Sequence, residues 1–134
     1  KYIINHKDDY YHHLSGVTQR GAWKSWILFM LKAVEGTSQI TNQKIDEILT
    51  QMDSTYKYAN SKLKWYTMEL NQALFSQPYI KQKLVGKITG AKSRTTLTKY
   101  MFKLTELGIL SAHEEGREVF YVNNDLIQIV ESLK

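Results

Sequence analysis

Three side chains near the start of the chain have a spacing that chemistry can use. His6, Asp9 and His13 fall at i, i+3 and i+7, which puts them on one face of a helix. Two imidazoles and a carboxylate in that order can ligate a divalent metal. Surface His and Asp on a polar helix face are the commoner origin of such a pattern, so neither a metal nor a cofactor is assigned. There is no cysteine, which excludes thiolate sites and disulfides and fits a reducing compartment.

The second concentration of functional groups is cationic. Lys81, Lys83, Lys87, Lys92, Arg94, Lys99 and Lys103 lie within 81–103, a stretch with no acidic residue. From Glu106 onward the balance reverses, with Glu114, Glu115, Glu118, Asp125 and Glu131 set against Arg117 and Lys134. The net charge of +5 is therefore less informative than its distribution. Like charges gathered in one supersecondary unit make a field that favours a polyanion; a solvated helix face is the alternative reading.

The elements that must position these groups follow from apolar spacing. Ile80, Leu84, Val85 and Ile88 give one helix stripe, with Pro78 suited to its first turn. Residues 89–92 read as a turn and Ser93 as the N-cap of the next helix. Leu97, Met101, Leu104 and Leu107 form that helix's buried face, and Gly108 marks its end. Strand candidates at 109–113 and 118–122 flank a Gly-containing turn and predict a two-stranded hairpin. A last helix begins at Asn124 or Asp125 and runs to Leu133, apolar at Leu126, Ile127, Val130 and Leu133. Helix, helix, turn, helix, hairpin, helix is the winged-helix order. Residues 93–97 with 107–110 also resemble the recognition helices of bacterial winged-helix regulators.

With Leu97, Met101 and Leu104 turned inward, the opposite helix face carries Lys92, Thr95, Lys99, Phe102, Lys103 and Glu106. The start of the second helix in a helix-turn-helix reaches base edges in the major groove. Arg94, Thr95 and Lys99 are therefore expected to read bases, and Lys92, Ser93 and Lys103 to hold phosphates. Arg117, at the hairpin tip, is expected to enter a minor groove. Glu114, Glu115 and Glu118 around Arg117, and the apolar Phe102 on the outward face, favour the alternative of a protein-docking or dimerisation module.

In the N-terminal half, Gly16 and Gly21 mark the end of a first helix with Ile3, Tyr10, Leu14 and Val17 on one face. A second helix, 22–35, is apolar nearly all round and is expected to be buried on several sides. Gly36, Thr37 and Ser38 are expected to separate it from a long helical stretch. There, Ile45, Leu49, Met52, Tyr56, Ala59, Leu63, Tyr66, Leu70 and Ala73 form a seam of alternating four- and three-residue steps. Helix packing within the domain and a dimeric coiled coil both account for that seam. A break is expected at 64–67, with Thr67 capping a shorter helix to Phe75.

The chain has 134 residues, 43% hydrophobic and 23% charged, as in a soluble globular protein of one domain or two small ones. Its longest apolar run, 26–31, is too short to span a bilayer, and residues 1–9 lack the apolar core of a signal peptide. No membrane association is expected, and the location is read as cytoplasmic. The chain opens without Met, and Tyr2-Ile3-Ile4 reads as the middle of a helix face, so a fragment of a longer protein is expected.

Taken together, Tyr10-Tyr11 and Trp23-Lys24-Ser25-Trp26-Ile27-Leu28-Phe29-Met30-Leu31 resemble the region downstream of the active site in bacterial Fic-family proteins. Leu74-Phe75 and Pro78-Tyr79-Ile80 are similar to the opening of the winged-helix domain that many of these proteins carry. The resemblance implies AMPylation, the transfer of AMP from ATP to a hydroxyl side chain of a target protein. It also implies a His-Pro-Phe-x-Asp/Glu-Gly-Asn-Gly-Arg loop, which is not in this sequence; His6, His12, His13 and His113 stand in other contexts. No catalytic residue is carried over, and the chain by itself is not expected to be an enzyme. Residues 111–116 match the family's inhibitory Ser/Thr-x-x-x-Glu-Gly/Asn pattern, but they read as a wing turn and the match is attributed to chance.

The expected fold is mainly α: a helical bundle followed by a winged helix-turn-helix with a small two-stranded β-hairpin. Residues 1–65 form the Fic-like helical segment and 66–134 the winged-helix domain. The expected partner is double-stranded DNA, in a transcription-regulator-like role. The alternative is a protein partner or homodimer, docked so as to bring targets to a Fic catalytic domain.

Overall fold

The computed structural model describes residues 1–132; Leu133, expected in the last helix, and Lys134 lie outside the described residues. The chain divides into two compact units, Lys1–Ile45 and a second from Asp46 onward.

In the first unit, α1 (Tyr2–Asn5) and α2 (Lys7–Arg20) meet at His6, whose φ of −127° and ψ of 43° interrupt what the sequence presents as one helix. The next helix, α3 (Trp23–Lys62), begins in this unit and supplies its second layer. Aromatic side chains fill the space between: Phe29 is buried, with the rings of Tyr2, Tyr10 and His13 centred 6.0, 6.4 and 5.0 Å from it. Tyr10 also meets Trp26 at 5.3 Å.

Two expectations for this region are corrected. Gly36-Thr37-Ser38 does not end a helix; α3 runs through it. Gly36 is where the Tyr2 ring lies against the helix, since a Cβ there would sit 3.4 Å from Tyr2 Cδ2. The 22–35 stretch is also not buried on several sides. Phe29 and Ala33 are buried, but Trp23, Ile27, Leu28, Leu31 and Val34 are exposed. Within the unit one layer of short helices meets α3, and one layer can cover only one flank of a helix.

The second unit holds the remainder of α3, then α4 (Met68–Ser76), β1 (Tyr79–Ile80), α5 (Gln82–Thr89), α6 (Arg94–Glu106), β2 (Ser111–Glu115), β3 (Glu118–Val122) and α7 (Asn124–Glu131). The seam of α3 and α4 is used for packing within this unit. Ala59, Leu63, Tyr66, Leu70 and Leu74 join Ile80, Val85, Met101, Leu104, Ile109, Leu110 and Leu126 in one core. Ile48 and Met52 pack against it, whereas Leu49 is exposed. A helix of 3.6 residues per turn drifts off a 3.5-residue seam, and at this end the drift selects Ile48 over Leu49. The break at 64–67 is present, and Thr67 caps α4 by accepting from the Leu70 N–H at 3.2 Å.

The sheet has three antiparallel strands in the order β1-β3-β2, one more than the expected hairpin. Pro78 precedes β1 instead of opening a helix. Its carbonyl accepts from the Asn123 N–H at 3.0 Å, and Tyr79 and Ile80 pair with Val122 and Tyr121. A fixed φ near −65° suits an extended entry as well as a helical first turn. β2 starts two residues later than expected because the Ile109 and Leu110 N–H groups both close α6, on the Leu104 carbonyl at 3.0 and 3.2 Å.

Two buried asparagines tie these elements together. Asn71 donates to the Met52 carbonyl at 3.0 Å and accepts from the Tyr66 hydroxyl at 2.8 Å. Asn123 donates to the Leu74 carbonyl at 2.9 Å and accepts from the Leu126 N–H at 3.1 Å, capping α7. Every buried polar side-chain atom among the described residues has a partner. Burial alone pushes the Tyr66 phenol well above its ordinary pKa.

Candidate nucleic-acid interface

The helix-turn-helix forms because its two helices are stopped and started by local chemistry. Gly90 ends α5 in the left-handed region with φ 70°, a conformation that favours glycine over residues with a Cβ. Ser93 starts α6: its Oγ accepts from the Thr96 N–H at 3.1 Å and lies 2.8 Å from Thr96 Oγ1. Gly86 lets the two helices approach, since a Cβ there would meet Leu97 Cδ2 at 3.2 Å. Leu97, Met101, Leu104 and Leu107 face the core as their spacing requires.

A clamp that the periodicity does not reveal fixes the far side of α6. The Trp65 and Tyr100 rings stack with centroids 3.9 Å apart and planes 16° from parallel. One ring comes from the turn between α3 and α4 and the other from mid-α6. Trp65 sits outside both helix stripes, so no spacing pattern points to it.

The outward face of α6 carries the groups expected there. Lys92, Arg94, Thr95, Lys99 and Phe102 are exposed, Phe102 at 65%. No acidic side chain stands among them until Glu106, which binds Lys103 at 2.8 Å. Lys103 is thus paired, a departure from the free phosphate contact expected of it. Ser93 is exposed but its hydroxyl serves the cap. Lys81, which joins the basic run in the sequence, bridges instead to Glu118 on β3 at 3.2 Å.

Arg117 stands apart from this group, in the two-residue turn between β2 and β3. Its neighbours are acidic, and the strand register sets Glu115 opposite Glu118. Phe120 extends an aromatic row across the sheet, with Tyr79 edge-on at 5.8 Å and His113 stacked at 5.8 Å. Ser111–Glu115, which carries most of the inhibitory-pattern match, is a β-strand and not a helix. In the first unit His6 stacks on Tyr2 at 4.2 Å, with its Nδ1 donating to the Tyr2 carbonyl at 2.8 Å. His13 lies against Phe29, so both imidazoles serve aromatic contacts.

Among the described residues no helix is long and apolar enough to cross a membrane. The family model described as protein adenylyltransferase SoFic-like, C-terminal domain, matches residues 49–126. That span takes in the last third of α3, α4, β1, the helix-turn-helix, the hairpin and the start of α7. The chain therefore belongs to the family of SoFic-like protein adenylyltransferase C-terminal domains.

Proposed function

We propose that this region of a Fic-family protein is a duplex-DNA-binding module with a transcription-regulator-like role in the bacterial cytoplasm. The observation that carries the reading is the outward face of α6. Arg94, Thr95 and Lys99 project from a capped, clamped helix, and Lys92 from the turn before it, in a stretch with no acid before Glu106. Arg94, Thr95 and Lys99 read base edges, and Lys92, the first-turn backbone around Ser93, and Lys103 once released from Glu106 meet phosphates. Arg117 adds a backbone contact at the hairpin tip. The chain itself performs no catalysis in this reading, because the family's adenylyl transfer needs a His and Gly-rich loop that this sequence lacks.

The test is titration of labelled duplex with the full chain at several salt concentrations. Affinity falls linearly on a log–log plot, and Lys92→Ala reduces the slope by about one unit. Duplex binding that stays undetectable at low salt sinks the proposal.

A second reading has its own observation, the exposed flank of Trp23, Ile27, Leu28, Leu31 and Val34. Exposed large apolar side chains grouped along one helix favour a protein interface, and a docking or dimerising role would use them. Sedimentation equilibrium at micromolar concentration separates the two: a dimer supports this reading and a monomer with duplex affinity supports the first.

A further inference from the structure

Phe102 is the one large apolar side chain exposed on the outward face of α6, at 65% exposure, and the helix fold gives it nothing to cover. Its position on the wheel is specific. At 100° per residue, Phe102 points within about 20° of Thr95 and about 60° of Lys99, so all three lie on one stripe. The rise of 1.5 Å per residue puts Phe102 about 10 Å beyond Thr95 along the axis. Phe102 lines a shallow open dent together with Thr98, Lys99 and Lys103.

A ring so placed has two kinds of partner. A protein interface needs a contiguous apolar area of several hundred Å², and the rim here is cationic and hydroxylic, with no second exposed large hydrophobic on α6. A base edge needs only one ring. The thymine C5-methyl is the sole apolar group on the major-groove edge of a base pair, and Phe is among the side chains that contact it. The surrounding lysines suit the flanking phosphates.

We infer that Phe102 is a specificity-determining residue that contacts a thymine methyl in the major groove, about three base steps from the pair met by Thr95. The inference rests on the duplex-binding reading above. It adds an apolar, methyl-dependent term to a face whose other contacts are polar, and that term is independent of salt. The preferred duplex accordingly contains a thymine at a fixed offset from the pairs read by Arg94 and Thr95.

The experiment uses the full chain and duplexes recovered by selection from a randomised pool. Each thymidine is then replaced in turn by deoxyuridine, which removes only the methyl. One replacement weakens wild-type binding about fourfold, the worth of one buried methyl group. Phe102→Ala weakens binding to the unmodified duplex at least as much and abolishes the response to that replacement, with an unchanged salt slope. Because Phe102 is exposed, the variant keeps its fold, and its circular dichroism matches wild type. The inference is overturned if no deoxyuridine replacement weakens wild-type binding, or if Phe102→Ala retains the full response. It is also overturned if the variant changes only self-association or protein binding, which assigns the ring to a protein interface. Failure of the wild-type chain to recover any duplex overturns the duplex-binding reading itself, and is distinct from recovery of duplexes indifferent to the methyl.

Discussion

The indole of Trp65 lies flat on the phenol ring of Tyr100, 3.9 Å between centroids, and so ties the turn after α3 to the middle of the proposed reading helix. Neither ring is in the central core, and both are half-buried. Trp65→Ala is expected to destabilise the C-terminal unit by about 2 kcal/mol, below the cost for a fully buried Trp. Trp65→Phe should recover most of that loss. Urea unfolding followed by far-ultraviolet circular dichroism measures both, and a loss for Trp65→Ala below about 0.5 kcal/mol would show that the stack is incidental.

Tyr66 and Asn71 form a buried hydroxyl–amide pair at 2.8 Å. Asn71→Ala leaves the Tyr66 hydroxyl without its acceptor and removes the side-chain donor to the Met52 carbonyl, and is expected to cost about 2–3 kcal/mol. Adding Tyr66→Phe to Asn71→Ala should cost less than the sum of the two single changes, since one orphaned group is then gone. Additive values in denaturant titrations would count against the coupling.

The Tyr66 phenol also gives a pH signature. Its folded pKa is raised, so its contribution is fully present below the unfolded value near 10 and is lost as the pH climbs above it. The wild type should lose about 1.4 kcal/mol more per pH unit above that point than Tyr66→Phe does. Paired denaturant titrations from pH 8 to 11.5 make the comparison, and parallel profiles would contradict it.

The hairpin register sets Glu115 across from Glu118 beside the proposed interface. Glu115→Gln is expected to stabilise the chain slightly, by about 0.5 kcal/mol, by removing a like-charge cross-strand pair. Glu114→Gln and Glu115→Gln together are expected to raise duplex affinity several-fold at low salt, with the gain fading as salt increases. Fluorescence anisotropy reads the affinity; an unchanged value would mean that the wing stays clear of the phosphates.

The parts of the fold that were legible in the sequence are those with a local cause. Ser93 and Thr67 cap as their hydroxyls and positions require, and Leu97, Met101 and Leu104 face inward at helical spacing. What the sequence hid depends on distant partners. Tyr79-Ile80 is too short to carry a two-residue period and is a strand only because Val122 and Tyr121 lie alongside. Asn71 looks like any polar helix residue until Met52 and Tyr66 are brought to it. The outward exposure of Arg94, Thr95 and Lys99 was readable from the helical wheel, whereas the diversion of Lys81 to Glu118 depends on a contact 37 residues away.

One tie has a consequence for synthesis. Asn123 alone answers the Leu74 carbonyl with its side chain and the Pro78 carbonyl with its backbone, and Asp125 just beyond it accepts from Gln51 at 2.9 Å. A chain still emerging from the ribosome can shape α4, α5 and α6 as soon as they are made. It cannot tie α3, α4 and the residue before β1 together through these bonds until residues 123–125 have cleared the exit tunnel. Emergence of residues 123–125 is thus the earliest point at which these three ties can form.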